Sequence, residues 1–262
     1  MKLVIIHADG ILRSATTAIH TGLTKGFSAI DLPFRYSEKD IRTVRGFEKF
    51  HAMETCIKVF YALTKQGMRF ANVDPKLMER QLDTLVSMGI REYDTESLQK
   101  IATTFNEFLQ SEQAAPLFSI TPNVQPVFQQ LAAAGIKLAV WTGNALGSIQ
   151  EDMTKLGDVF AATSDKPLPD ALPALCSQLG VPLEEAVYVG HTVADIRAAQ
   201  AASCKCVILL NAAGDERIVR QAEADAYEVD LPTFANTLAP PVEDETPPSA
   251  VAETTEPPAK LV

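Results

Sequence analysis

"KLVIIHADGIL", residues 2–12, is the stretch from which the rest of the chain is read. Leu3–Ile6 is a short, wholly apolar run, the pattern of a buried strand in a parallel sheet. His7-Ala8-Asp9-Gly10 follows, where such a strand opens into a loop. In open α/β sheets, ligands and chemistry collect outside the carboxyl ends of the strands. A histidine and an aspartate two residues apart at that edge are therefore candidate site residues.

Beyond Pro116 the pattern becomes one of alternating helices and strands. "TPNVQPVFQQLAAAG" reads as a helix with Pro122 near its first turn, "IKLAVWT" as a strand, and "ALGSIQEDMTKLG" as a helix. "VFAATS" reads as a short strand, and "LPDALPALCSQLG" as a helix in which Pro173 implies a late start or a kink. "AVYVG", "VADIRAAQAAS" and "CKCVILL" continue as strand, helix, strand. Such alternation predicts a parallel sheet with helices on both faces. Between Ser14 and Ala115 the spacing is helical throughout, with helix starts at Asp74-Pro75 and Asp94-Thr95-Glu96, stops at Gly67 and Gly89, and no strand. The expected fold class is α/β: a Rossmann-like parallel-sheet core over residues 1–13 and 116–238, with an α-helical cap inserted at 14–115. Residues 239–262 hold six prolines, five acids and one lysine, and are expected to form a disordered Pro/Glu-rich tail.

The net charge is −10, which disfavours nucleic acid and anionic membranes as partners. No apolar run is long enough to span a bilayer, and Met1 leads directly into the first strand without a signal-like segment. Four cysteines without a CxxC pair suit a reducing compartment, so a cytoplasmic location is expected. Cys204 and Cys206, two apart on one strand, should share a face, as small core residues or as a metal pair.

Four polar sites follow strands of the α/β part: His7 to Gly10, Trp141-Thr142-Gly143-Asn144, Lys166 to Asp170, and Gly190-His191-Thr192 with Asp195. Their order and spacing over residues 1–235 resemble the haloacid dehalogenase-like (HAD) superfamily, and the phosphoglycolate phosphatase-like branch with a helical cap above all. The resemblance implies a phosphohydrolase. Its first motif, Asp-x-Asp-Gly-Thr-Leu, stands here as His7-Ala8-Asp9-Gly10-Ile11-Leu12. Its second is Thr142. Its third, Lys-Pro-x-Pro-Asp, is matched by Lys166 to Asp170. Its fourth, Gly-Asp-Thr-x-x-Asp, reads Gly190-His191-Thr192-Val193-Ala194-Asp195.

By that resemblance, Asp9 is the general acid/base and His7 replaces the attacking, metal-ligating carboxylate. Thr142, Gly143 and Lys166 hold the phosphoryl group, Asp195 stays in the metal site, and His191 replaces its other carboxylate. Arg45 lies in the cap, where relatives place substrate-contacting loops. The family's cofactor is Mg²⁺, but imidazole is a poor Mg²⁺ ligand. A set of His7, His191 and Asp195 or Asp9 would suit Zn²⁺, Ni²⁺ or Fe²⁺. Three readings stay open. The first is a catalytically impaired homologue that binds a phosphorylated small molecule or a protein partner, with no metal required. The second is a hydrolase using Mg²⁺ or a transition metal. The third is a phosphohistidine route through His7, for which phosphate-holding arginines are missing from the motifs. His20 and His51 read as surface or satisfied core residues.

Overall fold

The computed structural model describes residues 1–69, 77–144 and 146–240. Among these, six strands form one parallel sheet: β1 (Leu3–His7), β4 (Lys137–Trp141), β5 (Ala162–Ser164), β6 (Ala186–Gly190), β7 (Lys205–Leu209) and β8 (Ala226–Glu228). Their spatial order is β5-β4-β1-β6-β7-β8. A separate antiparallel pair, β2 (Arg13–Ser14) with β3 (Ser119–Ile120), joins the two chain segments that enter and leave the cap.

Alternation of side chains along β1 sets both layers of the core. Val4 and Ile6 join Leu138, Val140, Val187 and Val189 under α6 (Val124–Ala133) and α11 (Leu231–Leu238). Leu3 and Ile5 join Ala139, Ala186 and Tyr188 on the other face, under α8 (Leu168–Leu179) and α9 (Val193–Ala201). The same parity carries His7, at the strand's end, to the α8/α9 side.

The cap is built from α1 (Thr16–Ser28), α2 (Glu38–Gly46), α3 (Met53–Lys65), α4 (Met78–Gly89) and α5 (Thr95–Leu109). It has its own apolar centre, with Leu23, Phe27, Ile41, Phe60, Ile101 and Phe105 buried together. Ile218 of α10 (Glu216–Val219), a core helix, is buried in that cap cluster. Nearby, Gly214 lies so close to α2 that a Cβ would overlap the backbone of Arg42 and Thr43. Cap and core therefore meet through backbone, not only through side chains.

Several expectations are corrected. β1 runs one residue further, to His7, and the β2/β3 pair was not anticipated. Pro122 lies outside α6, which starts at Val124 after Asn123 with φ +63, so Pro126 is the first-turn proline. "ALGSIQEDMTKLG" divides into a 3₁₀ turn (Leu146–Ile149) and α7 (Gln150–Leu156). α8 starts at Leu168 and carries Pro173 inside it, so the proline does not delay the start. Ala239 is buried and its carbonyl accepts from Gln130 Nε2, so the packed chain includes the first residue of the expected tail. Asp74-Pro75 and residues 241–262 lie outside the described residues. Cys204 and Cys206 share one apolar cluster, where burial pushes the Cys204 thiol up to about 12 and the Cys206 thiol higher still. They pack as core residues. No helix among the described residues is long and apolar enough to cross a membrane.

Asp94 does not cap α5 with its side chain. Its buried carboxylate accepts from Tyr61 Oη (2.8 Å), Lys65 Nζ (2.8 and 3.1 Å) and Arg91 N (2.8 Å), tying α5 to α3. Burial raises this carboxyl's pKa. The hydrogen bonds from Lys65, Arg91 and Tyr61 more than offset that, and the net shift is downward.

Two outcomes are expected. Gly214→Ala should destabilise by about 1–3 kcal/mol, as overpacking does, while Gly147→Ala, with open space around its Cβ, should stay within about 0.5 kcal/mol. Equal effects in denaturant unfolding would contradict the cap–core contact at Gly214. Because the Asp94 pKa is depressed on folding, its contribution is present above the unfolded value near 3.9 and is lost as pH falls below it. The melting-temperature gap between wild type and Asp94→Asn should therefore be constant from pH 7 to 5 and shrink below about pH 4.

Candidate active site

The four polar sites converge at the carboxyl edge of the sheet, as the parallel order requires. His7 is 5 % exposed, and its Nδ1 lies 3.1 Å from Asp195 Oδ1. Asp195, in the first turn of α9, also accepts from Tyr188 Oη (2.7 Å), His191 N (2.9 Å), Thr192 N (2.9 Å) and Thr192 Oγ1 (2.9 Å). Burial alone would raise the Asp195 pKa, but the charge and hydrogen bond of His7, with His191 behind them, hold it well below the usual carboxylate range. An ionised carboxylate only accepts, so His7 Nδ1 carries the proton of this bond. His7 lines the cavity above.

His191 packs its ring against Gly10. A Cβ at residue 10 would stand 2.6 Å from the His191 ring, and φ at Gly10 is +93°. Glycine is thus required both for the turn after β1 and for the imidazole lying on it. His191 Nδ1 is buried without a hydrogen-bond partner, 3.7 Å from Asp195 Oδ2. Burial depresses its pKa to about 3, so the ring is neutral.

Asp9 is held from two sides. Arg13 Nε donates to Asp9 Oδ1 (2.7 Å) and Asn144 Nδ2 to Asp9 Oδ2 (2.7 Å). Arg13 is itself 3 % exposed, bonded to Ser148 O and to Asp152 Oδ2 (3.1 Å), and lies over the Phe118 ring. Burial pushes the Asp9 pKa up, yet the Arg13 charge and hydrogen bond bring it below its ordinary value. The residue expected as general acid/base is a fixed carboxylate.

A cavity of about 720 Å³ separates this edge from the cap. The cap contributes Arg42, Arg45 and His51 to its wall. Arg45 Nε donates to His51 O (3.2 Å), and His51 Nδ1 donates back to Arg45 O (3.0 Å), so the two side chains are fixed as a pair. Burial and the Arg45 charge lower the His51 pKa to about 4. Among the described residues no carboxylate pairs with Arg42 or Arg45. The cap thus supplies the arginines that the motifs alone lacked.

Gly143, Asn144 and Trp141 line the cavity. Thr142 does not: it is fully buried, and its Oγ1 accepts from Asn144 N (3.1 Å). Lys166 is exposed and outside the lining. Trp141 lies between, its ring 4.7 Å from that of His7 and its indole N–H donating to Lys166 O (2.8 Å). The expected phosphate-holding pair of Thr142 and Lys166 is therefore not assembled at the cavity. Asn144 stood in one of the four polar sites but was given no role, and Arg13, Arg42 and His51 were not read as site residues. Of these three, Arg13 alone offered a signal, as a basic residue in the first loop.

Mg²⁺ does not fit these donors. It takes carboxylate and water oxygens in octahedral geometry. Here both Asp9 oxygens are engaged by Arg13 and Asn144, Asp195 Oδ2 takes three donors, and the two residues at the motif positions beside them, His7 and His191, are imidazoles. His7, His191 and Asp195 do form a three-residue cluster, with donor atoms within 4.8 Å of one another.

Comparison with known proteins agrees with this edge. The haloacid dehalogenase-like hydrolase family matches residues 7–203. Phosphoglycolate phosphatases of Yersinia pseudotuberculosis and Yersinia pestis are 30 % identical over 140 residues, 48 % of this chain and 59 % of theirs. The match thus spans less than two thirds of the length of those relatives. A candidate phosphoglycolate phosphatase from Lactobacillus delbrueckii subsp. bulgaricus superposes with a TM-score of 0.68 at 16 % identity, covering 91 % of this chain and 98 % of that one. A haloacid dehalogenase-like hydrolase from Streptococcus pneumoniae gives 0.63 at 11 %, covering 91 % and 98 %. At those identities the likeness is one of fold. With the family match running from His7 past Asp195, across all four sheet-edge sites, the chain belongs to the haloacid dehalogenase-like hydrolases.

Proposed function

We propose that this protein is a phosphatase-like member of the phosphoglycolate phosphatase type that binds a phosphorylated small molecule beneath its cap and lacks magnesium-assisted aspartyl-phosphate turnover. The observation that carries the reading is His7. By the motif resemblance it stands where the family has its attacking carboxylate, and it is buried and hydrogen-bonded to Asp195. Aspartyl-phosphate formation needs a carboxylate oxygen to attack phosphorus, and both oxygens of Asp9 and of Asp195 are already hydrogen-bonded. Protonation of a leaving group needs an acid that holds a proton near neutral pH, and Arg13 keeps Asp9 ionised. Ligand recognition rests instead on Arg42 and Arg45. Guanidinium forks suit phosphate oxygens.

A second reading, an active phosphomonoester hydrolase, has one observation in its favour, the donor cluster of His7, His191 and Asp195. The two readings part in a single assay. Wild type should hydrolyse a generic aryl phosphate no faster than background with Mg²⁺. Brisk Mg²⁺-dependent turnover would sink the impaired reading.

Binding is checked separately. Inorganic phosphate should raise the melting temperature of wild type, and Arg45→Met should remove the shift. An unchanged shift in Arg45→Met would place the anion elsewhere. Reversion gives the third test. The double change His7→Asp with His191→Asp should gain Mg²⁺-dependent hydrolysis, while each single change gains little, because cooperating catalytic groups act as a unit. The gain should be modest, since Asp9 stays paired with Arg13. Adding Arg13→Gln to the double variant should raise turnover further, by freeing Asp9 to carry a proton.

A further inference from the structure

We propose that the cavity selects a phosphate ester whose organic part carries a free hydroxyl, and that His51 Nε2 accepts the hydrogen bond from that hydroxyl. The inference rests on the phosphate-binding reading of Arg42 and Arg45, and concerns the rest of the ligand.

Three observations carry it. The first is the tautomer of His51. Its Nδ1 lies 3.0 Å from Arg45 O, and a carbonyl oxygen only accepts, so Nδ1 carries a proton. Burial and the Arg45 charge lower the ring's pKa to about 4, so that is its one proton and Nε2 is an acceptor. The second is position. His51 lines the cavity together with Arg42 and Arg45, and the return bond from Arg45 Nε to His51 O (3.2 Å) fixes the two residues as a unit. One cap segment thus offers guanidinium donors and an imidazole acceptor to the same ligand. The third is Asp230, on the core wall of the same cavity. Its Oδ1 accepts from Thr233 N (2.9 Å) and Thr233 Oγ1 (2.7 Å), and these bonds hold its carboxyl below its ordinary pKa. It too is an acceptor.

The chemistry of the ligand follows from this set. Guanidinium groups only donate and a phosphate dianion only accepts, so the arginines match the phosphate. His51 Nε2 and the Asp230 carboxylate find nothing to accept from such an anion. They need a donor on the organic part. A hydroxyl supplies one, an alkyl chain does not, and a carboxylate sets lone pairs against lone pairs. The Arg45 charge beside His51, which already disfavours the protonated ring, disfavours an ammonium donor at the same place. The cavity, about 720 Å³, holds more than a phosphate group. A site built to bond a hydroxyl rejects the analogue that lacks it, because its own polar group is then left unpaired.

The test is calorimetry of the full chain, without added metal, against sn-glycerol 3-phosphate, propyl phosphate and phosphoglycolate. The first two share a three-carbon chain and differ only in hydroxyls. Glycerol phosphate should bind about 3–10-fold more tightly than propyl phosphate, the worth of one hydrogen bond, and phosphoglycolate no better than propyl phosphate. His51→Asn keeps a donor at the Nδ1 position and has no acceptor at Nε2, so in it the two three-carbon esters should bind alike. His51→Gln sets a carboxamide oxygen near the Nε2 position and should retain part of the preference. His20→Ala, whose ring bonds Tyr36 O in the cap, should retain all of it. A merely structural histidine would not report on the ligand's hydroxyls. The ¹⁵N resonance of His51 Nε2 in wild type should therefore shift with glycerol phosphate and stay in place with propyl phosphate. Should His51→Asn fail to fold, as judged by its melting curve, His51→Gln and that resonance decide. Equal affinity for the two three-carbon esters overturns the proposal, as does tightest binding of phosphoglycolate or a full preference that survives in His51→Asn. In each of those results the phosphate reading stands. Binding of no ester by wild type removes that reading itself, and the proposal with it.

Discussion

A buried carboxylate surrounded by five donors holds this site in place. Asp195 takes hydrogen bonds from His7, Tyr188, the His191 and Thr192 amides and the Thr192 hydroxyl. An ionised carboxylate taken out of water is tolerated only when its lone pairs are filled. Filling them fixes three elements against one another. Tyr188 comes from β6, His7 from the end of β1, and His191 and Thr192 from the turn into α9. The relative placement of β1 and β6 is set by their ladder, which pairs Ile6 with Val189. Asp195 then reads that register in side chains. Loss of the carboxyl group, as in Asp195→Ala, would leave His7 Nδ1 and Tyr188 Oη without their acceptor at once.

Arg13 does the corresponding work on the cap side. It sits in β2, the first strand of the pair through which the chain enters and leaves the cap, and it is as buried as Asp195. Its guanidinium joins Asp9, the Ser148 carbonyl and Asp152, so the start of α7 and the turn after β1 are tied at the hinge. The consequence for chemistry is direct. The contact with the buried arginine lowers the proton affinity of Asp9, which opposes the general-acid role that the resemblance implies.

Much of the fold was legible because strand parity and helix spacing are local properties. The apolar run Leu3–Ile6, the alternation after Pro116 and the helical spacing from Ser14 onward each specify an element without reference to the others. The positions of the four sheet-edge sites follow from parallel order alone, and His7, Asp9, Gly143 and His191 do meet at one cavity. What could not be read locally is where a long side chain goes once its strand is placed. Lys166 satisfies its motif letter for letter, yet Trp141 bonds its carbonyl and lies against His7, and Lys166 stays outside the cavity lining. Thr142 likewise spends its hydroxyl on the Asn144 amide. His51 and Arg42 were illegible for the opposite reason: they reach the site across the cap–core gap, and that distance is set by contacts such as Gly214 against α2. No spacing rule within the cap reports it.

The two histidines change the cavity in a way that neither does alone. Replacing two carboxylates by two imidazoles, His191 held neutral by burial, removes negative charge from the core wall while Arg42 and Arg45 remain on the cap wall. Without a hard cation between them, a carboxylate-rich wall would repel an anionic ligand, and the arginines would have to overcome that repulsion. Imidazoles in place of carboxylates lower that repulsion, while the ionised Asp195 and the cavity-lining Asp230 keep some carboxylate charge on the core side. Asp9 adds little to the opposing charge, since Arg13 neutralises it from behind. On the proposed reading, binding of a phosphorylated ligand would then rest on Arg42 and Arg45 rather than on Mg²⁺.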